Sequence, residues 1–200
     1  VKIEKPGPDV RVEAGYGQTF RYGDNSVTSP SHVIRTGVNV EFTITRGFGV
    51  ETGLKYSYAF GNREQIYAHI ETAFFKYAGH FLDVPVRLTY TLPIFWGMKL
   101  VAYAGPNFNI GIAHTEDVDF TPTVLDPVPS NPLNYPVTGT YNSYDNDLRR
   151  LNIQLGAGGG LQWKDYRVKS GYEWGLNNVN QNKNRSQKMK GWFIAFEYEF

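Results

Sequence analysis

The sequence predicts an all-β protein, an eight-stranded antiparallel up-and-down transmembrane β-barrel with short periplasmic turns and long extracellular loops. Apolar side chains recur at every second position in eight separate segments, which is the period of a two-faced strand. The links between these segments alternate between short and long, as in a barrel whose two ends face different compartments. The apolar face is also too bulky for the inside of so small a barrel.

The eight segments follow one another along most of the chain. In order they are Val10–Tyr16, Ile34–Ile44, Phe48–Tyr58, Leu82–Tyr90, Met98–Ile110, Leu151–Trp163, Tyr166–Leu176 and Trp192–Phe200. Val101 and Tyr103 blur the alternation in the fifth segment. We expect one barrel domain over residues 10–200, preceded by a short periplasmic tail over residues 1–9.

The connections give a second, independent signal. The tight links are Thr45–Gly47, Pro93–Gly97 and Lys164-Asp165, and the long links are Gln18–Val33, Gly61–Gly79, Thr115–Arg150 and Asn177–Lys188. In transmembrane barrels of this kind the short turns are periplasmic and the long loops extracellular. Both termini are therefore expected on the periplasmic side.

Volume decides which face of the strands points inward. A soluble lipocalin-like barrel would show the same period of two with its apolar face inside. The interior of an eight-stranded barrel is only just wide enough for side chains, whereas this apolar face carries Trp163, Trp174, Trp192 and many other large residues. The polar face is rich in glycine. We therefore expect apolar side chains to face lipid, with aromatic residues at both membrane interfaces.

The polar face carries a balanced set of charges that would lie inside the barrel. The predicted lumen ion-pair network consists of Arg11, Glu13, Arg35, Glu41, Glu51, Lys55, Asp83, Arg87, Lys99, Arg167, Lys169, Glu173, Glu197 and Glu199. Buried charges must be paired or left at a high cost, so we expect this network to plug the lumen, with Glu197 and Glu199 available to Arg11. Nothing sets one pair of carboxylates apart from the rest, so no catalytic residue is predicted.

Composition excludes several other classes of protein. The 200 residues include no cysteine, which removes disulfides, thiolate zinc sites and thiol catalysis. A formal net charge of +1 gives no electrostatic basis for binding nucleic acid. The mean hydropathy of -0.40 indicates no membrane-spanning helix. The acidic loop Thr115–Arg150 offers the hard oxygen ligands that calcium prefers but lacks EF-hand spacing. We predict no metal and no cofactor, with calcium in this loop as the alternative.

Five short motifs resemble the PorT-like outer-membrane β-barrel family. They are Leu82-Asp83-Val84-Pro85-Val86, Ala104-Gly105-Pro106, Leu155-Gly156-Ala157-Gly158-Gly159-Gly160, Gly175-Leu176-Asn177-Asn178 and Glu197-Tyr198-Glu199-Phe200. The resemblance covers nearly the whole barrel, from about Val10 to Phe200. It implies an integral protein of the bacterial outer membrane, in a family where some members are accessory subunits of larger outer-membrane assemblies.

Function is expected to lie in the long loops, as on other rigid scaffolds. The segment Gly61–Gly79 is too apolar to be left bare in water, and Tyr67, Phe74, Phe75 and Tyr77 are its candidate partner-binding residues. The alternative is that Gln65–Tyr77 only extends two strands above the membrane and packs on neighbouring loops. The expected partners are outer-membrane lipids, other outer-membrane proteins in a larger complex and, during insertion, the barrel assembly machinery. Phe196, Tyr198 and Phe200 resemble the signal that this machinery reads.

Two other functions remain open. His80 and His114 stand at the ends of neighbouring strands on the outward face, near the expected lipid head groups. A lipid deacylase or acyltransferase would place a His and a Ser there, yet no Ser is fixed nearby by spacing. The sequence favours a non-enzymatic structural or accessory subunit, with a lipid-modifying enzyme or a surface adhesin as alternatives.

Overall fold

The computed structural model describes residues 7–23, 30–67, 71–120, 137–146, 148–182 and 184–200, with side chains for all of these except 65–67, 71–72 and 146. The strands are β1 (Asp9–Gly23), β2 (Ser31–Thr45), β3 (Phe48–Tyr67), β4 (Glu71–Pro93), β5 (Met98–Phe120), β6 (Gly139–Asn142), β7 (Leu151–Trp163), β8 (Tyr166–Gly175) and β9 (Gln187–Glu199). A 3₁₀ turn covers Phe95–Gly97, and helix α1 covers Ser143–Asn146. Within the described ranges, no helix has both the length and the apolar character needed to cross a membrane.

Eight of these strands form one closed ring. Its order is β1, β2, β3, β4, β5, β7, β8, β9, and every neighbouring pair is antiparallel. The ring closes where β9 pairs with β1, from Arg11 opposite Glu199 to Gly23 opposite Gln187. Strand β6 adds only to the far end of β5. Since closure pairs each of the eight strands on both sides, the predicted eight-stranded antiparallel barrel is confirmed.

Several strands run further into the long links than the sequence predicted. Strands β3 and β4 stay paired as far as Tyr67 opposite Glu71, and β5 continues to Phe120. The residues added to β3 and β4 include Ile66, Phe74 and Phe75, which have a high preference for strands. The segment Gly61–Gly79 is therefore mostly a tall hairpin, in agreement with the alternative that it extends two strands.

The barrel is inside out compared with a soluble protein. The outward side chains of Leu54 and Leu88 are 57% and 55% exposed, whereas the inward Lys55 and Glu197 are 1% and 0% exposed. Aromatic pairs mark both rims: Phe48 contacts Tyr90 at the short-turn end, and Tyr16 contacts Trp192 at the long-loop end. An apolar outer band with aromatic borders is the surface that a transmembrane barrel presents to lipid.

A β-bulge changes the facing of the far end of β5. His80 pairs with Ala113 while the next residue, Phe81, pairs with Gly111, so Ile112 is an extra residue on β5. An extra residue shifts the inward and outward positions that follow it by one place. Ile110 and Ile112 are both outward and exposed, and His114 is buried. The predicted outward position of His114 is therefore wrong, because unbroken alternation was assumed.

Glycine on the inner wall makes room for an inward aromatic ring. Tyr103 points into the barrel, and its hydroxyl donates a hydrogen bond to the carbonyl of Ser170 at 2.9 Å. The ring lies over Gly158 and Gly171, which pair across β7 and β8. A Cβ on Gly171 would collide with the Tyr103 hydroxyl oxygen. The residue that blurred the sequence pattern is thus part of the interior packing.

We expect Gly171→Ala to destabilise the barrel by about 1 to 3 kcal/mol because it overpacks this contact. The cost should fall in a Tyr103→Phe background, which removes the colliding oxygen. Urea unfolding of the four proteins of this cycle in detergent micelles measures both values. Gly159→Ala is the control, since its Cβ would meet only Val101 O at 3.1 Å. Equal costs of Gly171→Ala in both backgrounds would contradict this packing.

Candidate functional site

The interior charges form three linked clusters along the barrel axis, and the lower one lies at the short-turn end. In the lower cluster Arg11 contacts Glu41 at 2.6 Å and Glu199 at 2.7 Å. Arg167 reaches the same Glu41 oxygen at 2.9 Å. Strands β1, β2, β8 and β9 supply these groups, so the cluster ties together the strands around the point of closure.

The middle cluster has two lysines among three carboxylates. Lys169 contacts Glu13 at 2.9 Å and Glu51 at 3.1 Å, and it also pairs closely with Glu197. Lys55 lies on the wall opposite Lys169 and contacts Glu13 at 2.6 Å. Side chains from β1, β3, β8 and β9 therefore meet across the whole lumen. All five are at most 2% exposed.

The upper cluster centres on Glu173. Arg35 lies 3.2 Å and Arg87 3.1 Å from its carboxylate. Asp83, predicted as a member of the network, instead accepts hydrogen bonds from Ser57 and from Asn107 and Asn109, the two amides at 3.1 Å and 2.8 Å.

An aromatic layer that sequence reasoning missed lies beside this upper cluster. Phe193 and Tyr103 are both buried inside the barrel. The guanidinium of Arg87 stacks over the Tyr103 ring at 4.8 Å, and that of Arg35 stacks over Phe193 at the same distance. The sequence does contain a signal for this layer, because alternation along the two strands places both aromatic residues on the inward face. Cations over aromatic faces add attraction where water is absent.

Two expectations about the network need correction. Lys99 has the inward parity but is exposed at the short-turn mouth, and it makes no ion pair with a described residue. It lies on the second residue of β5, too close to the strand end to reach the interior. Glu197, expected near Arg11, pairs with Lys169 and lies 3.6 Å from Arg167. Of Glu197 and Glu199, it is Glu199 that contacts Arg11.

The candidate partner-binding residues divide between the two faces of the β3–β4 hairpin. Phe74 is outward and 51% exposed. Phe75 is buried, with the guanidinium of Arg63 stacked over its ring at 4.2 Å. Tyr77 also turns inward and donates a hydrogen bond to the carbonyl of Pro30 at 3.1 Å. The side chain of Tyr67 lies outside the described residues. Phe74 and Phe75 therefore lie on opposite faces of the hairpin, because neighbours in a strand face opposite ways.

The end of the chain places Phe196, Tyr198 and Phe200 on its outward face. Phe196 and Phe200 are exposed, and the Tyr198 ring lies between those of Tyr166 and Phe200, at 5.3 Å and 5.4 Å. The backbone N–H of Phe200 donates to the carbonyl of Val10 at 3.2 Å. The three residues of the predicted assembly signal therefore share one lipid-facing rim.

Two histidines face outward in matching surroundings. Nδ1 of His32 shares a hydrogen bond with the hydroxyl of Tyr16 at 2.6 Å. Nδ1 of His80 shares one with the hydroxyl of Tyr56 at 2.6 Å. Their rings join an aromatic row with Tyr58 and other residues of the long-loop rim. Neither histidine has a hydroxyl nucleophile of Ser or Thr among its hydrogen-bond partners in the described chain.

His114 and Ser143 form a buried contact inside the long-loop end. Nδ1 of His114 lies 2.8 Å from Oγ of Ser143, and Nε2 lies 3.1 Å from Nη2 of Arg21. Burial, with a contribution from Arg21, lowers the pKa of His114 to about 3. A catalytic histidine is usually oriented by a carboxylate, which stabilises the imidazolium. Here a cation occupies that place, so His114 is a poor base.

The acidic residues of the Thr115–Arg150 segment are dispersed where the structure describes them. Glu116 pairs with Arg63 at 3.0 Å, and Asp117 accepts a hydrogen bond from Thr140 at 2.6 Å. Asp126 and Asp147 lie outside the described residues. Within the described part of the chain, no group of three or more His, Asp or Glu side chains is arranged to hold a metal ion.

Similar folds are known among solved structures. Neisserial surface protein A is 11% identical, with 96% of this chain and 97% of that chain covered and a TM-score of 0.50. The outer membrane enzyme PagL is 14% identical, with 95% and 99% covered and a TM-score of 0.50. Ail, the attachment invasion locus protein of Yersinia pestis, is 14% identical, with 97% and 99% covered and a TM-score of 0.47. At these identities the likeness concerns the fold alone.

The family comparison gives the assignment. No curated protein matches the chain in sequence. The family described as outer membrane protein beta-barrel domain matches residues 10–181, which is most of the barrel. The chain belongs to this outer membrane protein beta-barrel family and is an integral protein of the bacterial outer membrane.

Proposed function

We propose that this protein is a non-enzymatic outer-membrane barrel with a plugged lumen, which acts as a structural or accessory subunit of an outer-membrane protein assembly through its extracellular loops. Within the family we assign it to the PorT-like group, with both termini periplasmic and the long loops outside the cell. The observation that carries the proposal is the interior itself. Three layers of paired charges and an aromatic layer fill the space that a channel would need.

The interior contacts support a lumen closed to ions. Lys169, Lys55 and Arg87 reach across the barrel to carboxylates on other strands, and their side chains are at most 2% exposed. Opening a pore through the lumen would require several of these side chains to move together. Breaking a buried pair leaves an unpaired charge at a cost of about 3 to 5 kcal/mol.

The geometry of His114 supports a non-enzymatic role. Ser143 is buried and 2.8 Å from a histidine whose other nitrogen contacts Arg21. No carboxylate is hydrogen-bonded to this histidine in the described chain, and its lowered pKa makes it a weak proton acceptor. The pair also faces the barrel interior, away from the acyl chains that a lipid-modifying enzyme would cleave or transfer.

The β3–β4 hairpin supports a docking role for the long-loop end. It rises beyond the lipid-facing band and is braced by the Arg63–Glu116 pair and by Tyr77. Phe74 projects from the outer face of this braced hairpin. A rigid, exposed aromatic side chain is the kind of residue that anchors protein interfaces. A surface adhesin is the second candidate, favoured by the same exposed Phe74 at the long-loop end.

We expect Phe74→Asp to abolish co-purification of partner outer-membrane proteins in mild detergent, because it places a charge at the centre of the proposed contact. Asn62→Asp is the control, since Asn62 is exposed on the same hairpin and carries no apolar group. Partners are compared by affinity purification and mass spectrometry. An unchanged set of partners with Phe74→Asp would refute docking through this residue.

Expression of the wild-type protein should leave the acyl pattern of lipid A unchanged. Ser143→Ala should be indistinguishable from the wild type, since the Ser143–His114 contact is structural in this account. Mass spectrometry of lipid A from cells with and without each protein makes the comparison. Loss or gain of an acyl chain that depends on Ser143 would establish the enzyme alternative instead.

A further inference from the structure

The turn between β4 and β5 carries the most exposed large apolar side chain of the described structure. Trp96 is 85% exposed, more than any other large apolar side chain in the described ranges, and Phe95 is 63% exposed. The two rings meet edge to face, with their centroids 4.9 Å apart. We call residues 94–97 the aromatic turn. An exposed apolar surface of this kind marks a contact with a membrane or a partner.

The backbone of the aromatic turn does not account for a tryptophan at its tip. Each of the three short turns has one non-glycine residue with a positive φ, namely Arg46 at 44°, Trp96 at 57° and Lys164 at 53°. Glycine, asparagine and aspartate adopt this left-handed conformation readily, whereas a bulky residue rarely does. The other two turns place an exposed, charged side chain there. Strain of this kind is typically kept where the side chain has a function.

The aromatic turn continues the lipid-facing surface of β4 and β5. Leu92 and Leu100 face each other across these strands, and both are exposed on the outer side of the barrel. Ile94 and Met98 follow at the next outward positions, and the N–H of Ile94 donates to the carbonyl of Met98 at 2.9 Å. No charged residue interrupts these outward positions. The turn is therefore continuous with a surface that contacts lipid.

The aromatic turn also reaches past the neighbouring turn. The N–H of Thr91 donates to the carbonyl of Gly47 at 2.7 Å, so the tip of the β2–β3 turn lies beside Thr91. Strand β4 continues beyond this point to Pro93, and the aromatic turn follows it. The contact of Phe48 with Tyr90 marks the aromatic border of the lipid-facing band just before this point. The turn therefore lies on the head-group side of that border, where an indole keeps its ring among apolar groups and its N–H near polar ones.

We propose that the aromatic turn inserts into the phospholipid head-group layer on the short-turn side of the membrane, with Trp96 as the principal contact, and holds this side of the barrel at a fixed depth. The proposed orientation makes this the periplasmic leaflet. Lipid is the occupant because the turn continues a lipid-facing surface without a break. The inference goes beyond the proposed function, since it concerns the end of the barrel opposite the docking hairpin.

Tryptophan fluorescence of the full chain in phosphatidylcholine vesicles tests the contact. The substitutions Trp163→Phe, Trp174→Phe and Trp192→Phe leave Trp96 as the only tryptophan. We expect phospholipid brominated near the head group to reduce its emission about twofold, and phospholipid brominated near the chain end to reduce it less. A second variant that keeps only Trp163, which is exposed on the lipid-facing side, is the positive control. If acrylamide in the water quenches Trp96 as strongly as free tryptophan, and brominated lipid does not quench it, the proposal is overturned and a periplasmic protein becomes the occupant.

A matched pair of variants tests whether the contact holds the barrel in place. Trp96→Asn and Lys164→Asn put the same residue, which tolerates a positive φ, at the tips of two short turns. In urea unfolding from vesicles, Trp96→Asn should raise the unfolding equilibrium constant about tenfold relative to Lys164→Asn, because only the first loses an indole from the head-group layer. Equal constants for the two variants would also overturn the proposal. Co-purification of partners through Phe74 is a separate readout, so this inference and the proposed function can fail independently.

Discussion

The pairing of charges inside the barrel is the interaction on which the rest of the structure depends. Among the described residues, twelve inward Arg, Lys, Asp and Glu side chains are buried. Each would be strongly unfavourable if its charge stood alone in a narrow, nearly dry space. They become compatible with folding because each cation meets carboxylates from other strands. Lys169 of β8, for example, joins Glu13 of β1, Glu51 of β3 and Glu197 of β9. The network therefore fixes which strands face each other across the lumen.

The period of two explains how much could be predicted from the sequence. Once the apolar face was assigned to lipid, the inward position of Arg11, Glu41, Lys169 and Glu173 followed from alternation alone. The partners did not follow, because contacts across the lumen depend on strand tilt and side-chain length. Glu197 therefore meets Lys169 rather than Arg11.

The departures from prediction have local physical causes. One extra residue at Ile112 turns His114 from the outer to the inner face, and no sequence pattern marks that bulge. Phe74 and Phe75 were both named as candidate partner-binding residues from their composition, although neighbours in a strand point to opposite faces. Lys99 kept its parity but lies at the strand end, where the solvent can reach it. The paired β3–β4 hairpin agrees with the alternative in which this apolar segment extends two strands.

The inner wall of the barrel is filled by aromatic side chains as well as by charges. Glycines such as Gly158 and Gly171 admit the ring of Tyr103, which closes gaps that charges cannot fill. Above this layer Arg21 contacts His114 and Arg63 pairs with Glu116. The filled lumen fits the proposed role, in which the protein presents a surface rather than passes a solute.

Single-channel recording in planar bilayers tests the closed lumen most directly. The refolded full chain should insert without producing stable conductance steps, whereas a porin added to the same bilayers should produce them. Stable, large steps from the wild-type protein would contradict the account, because they require a continuous water path through the paired charges.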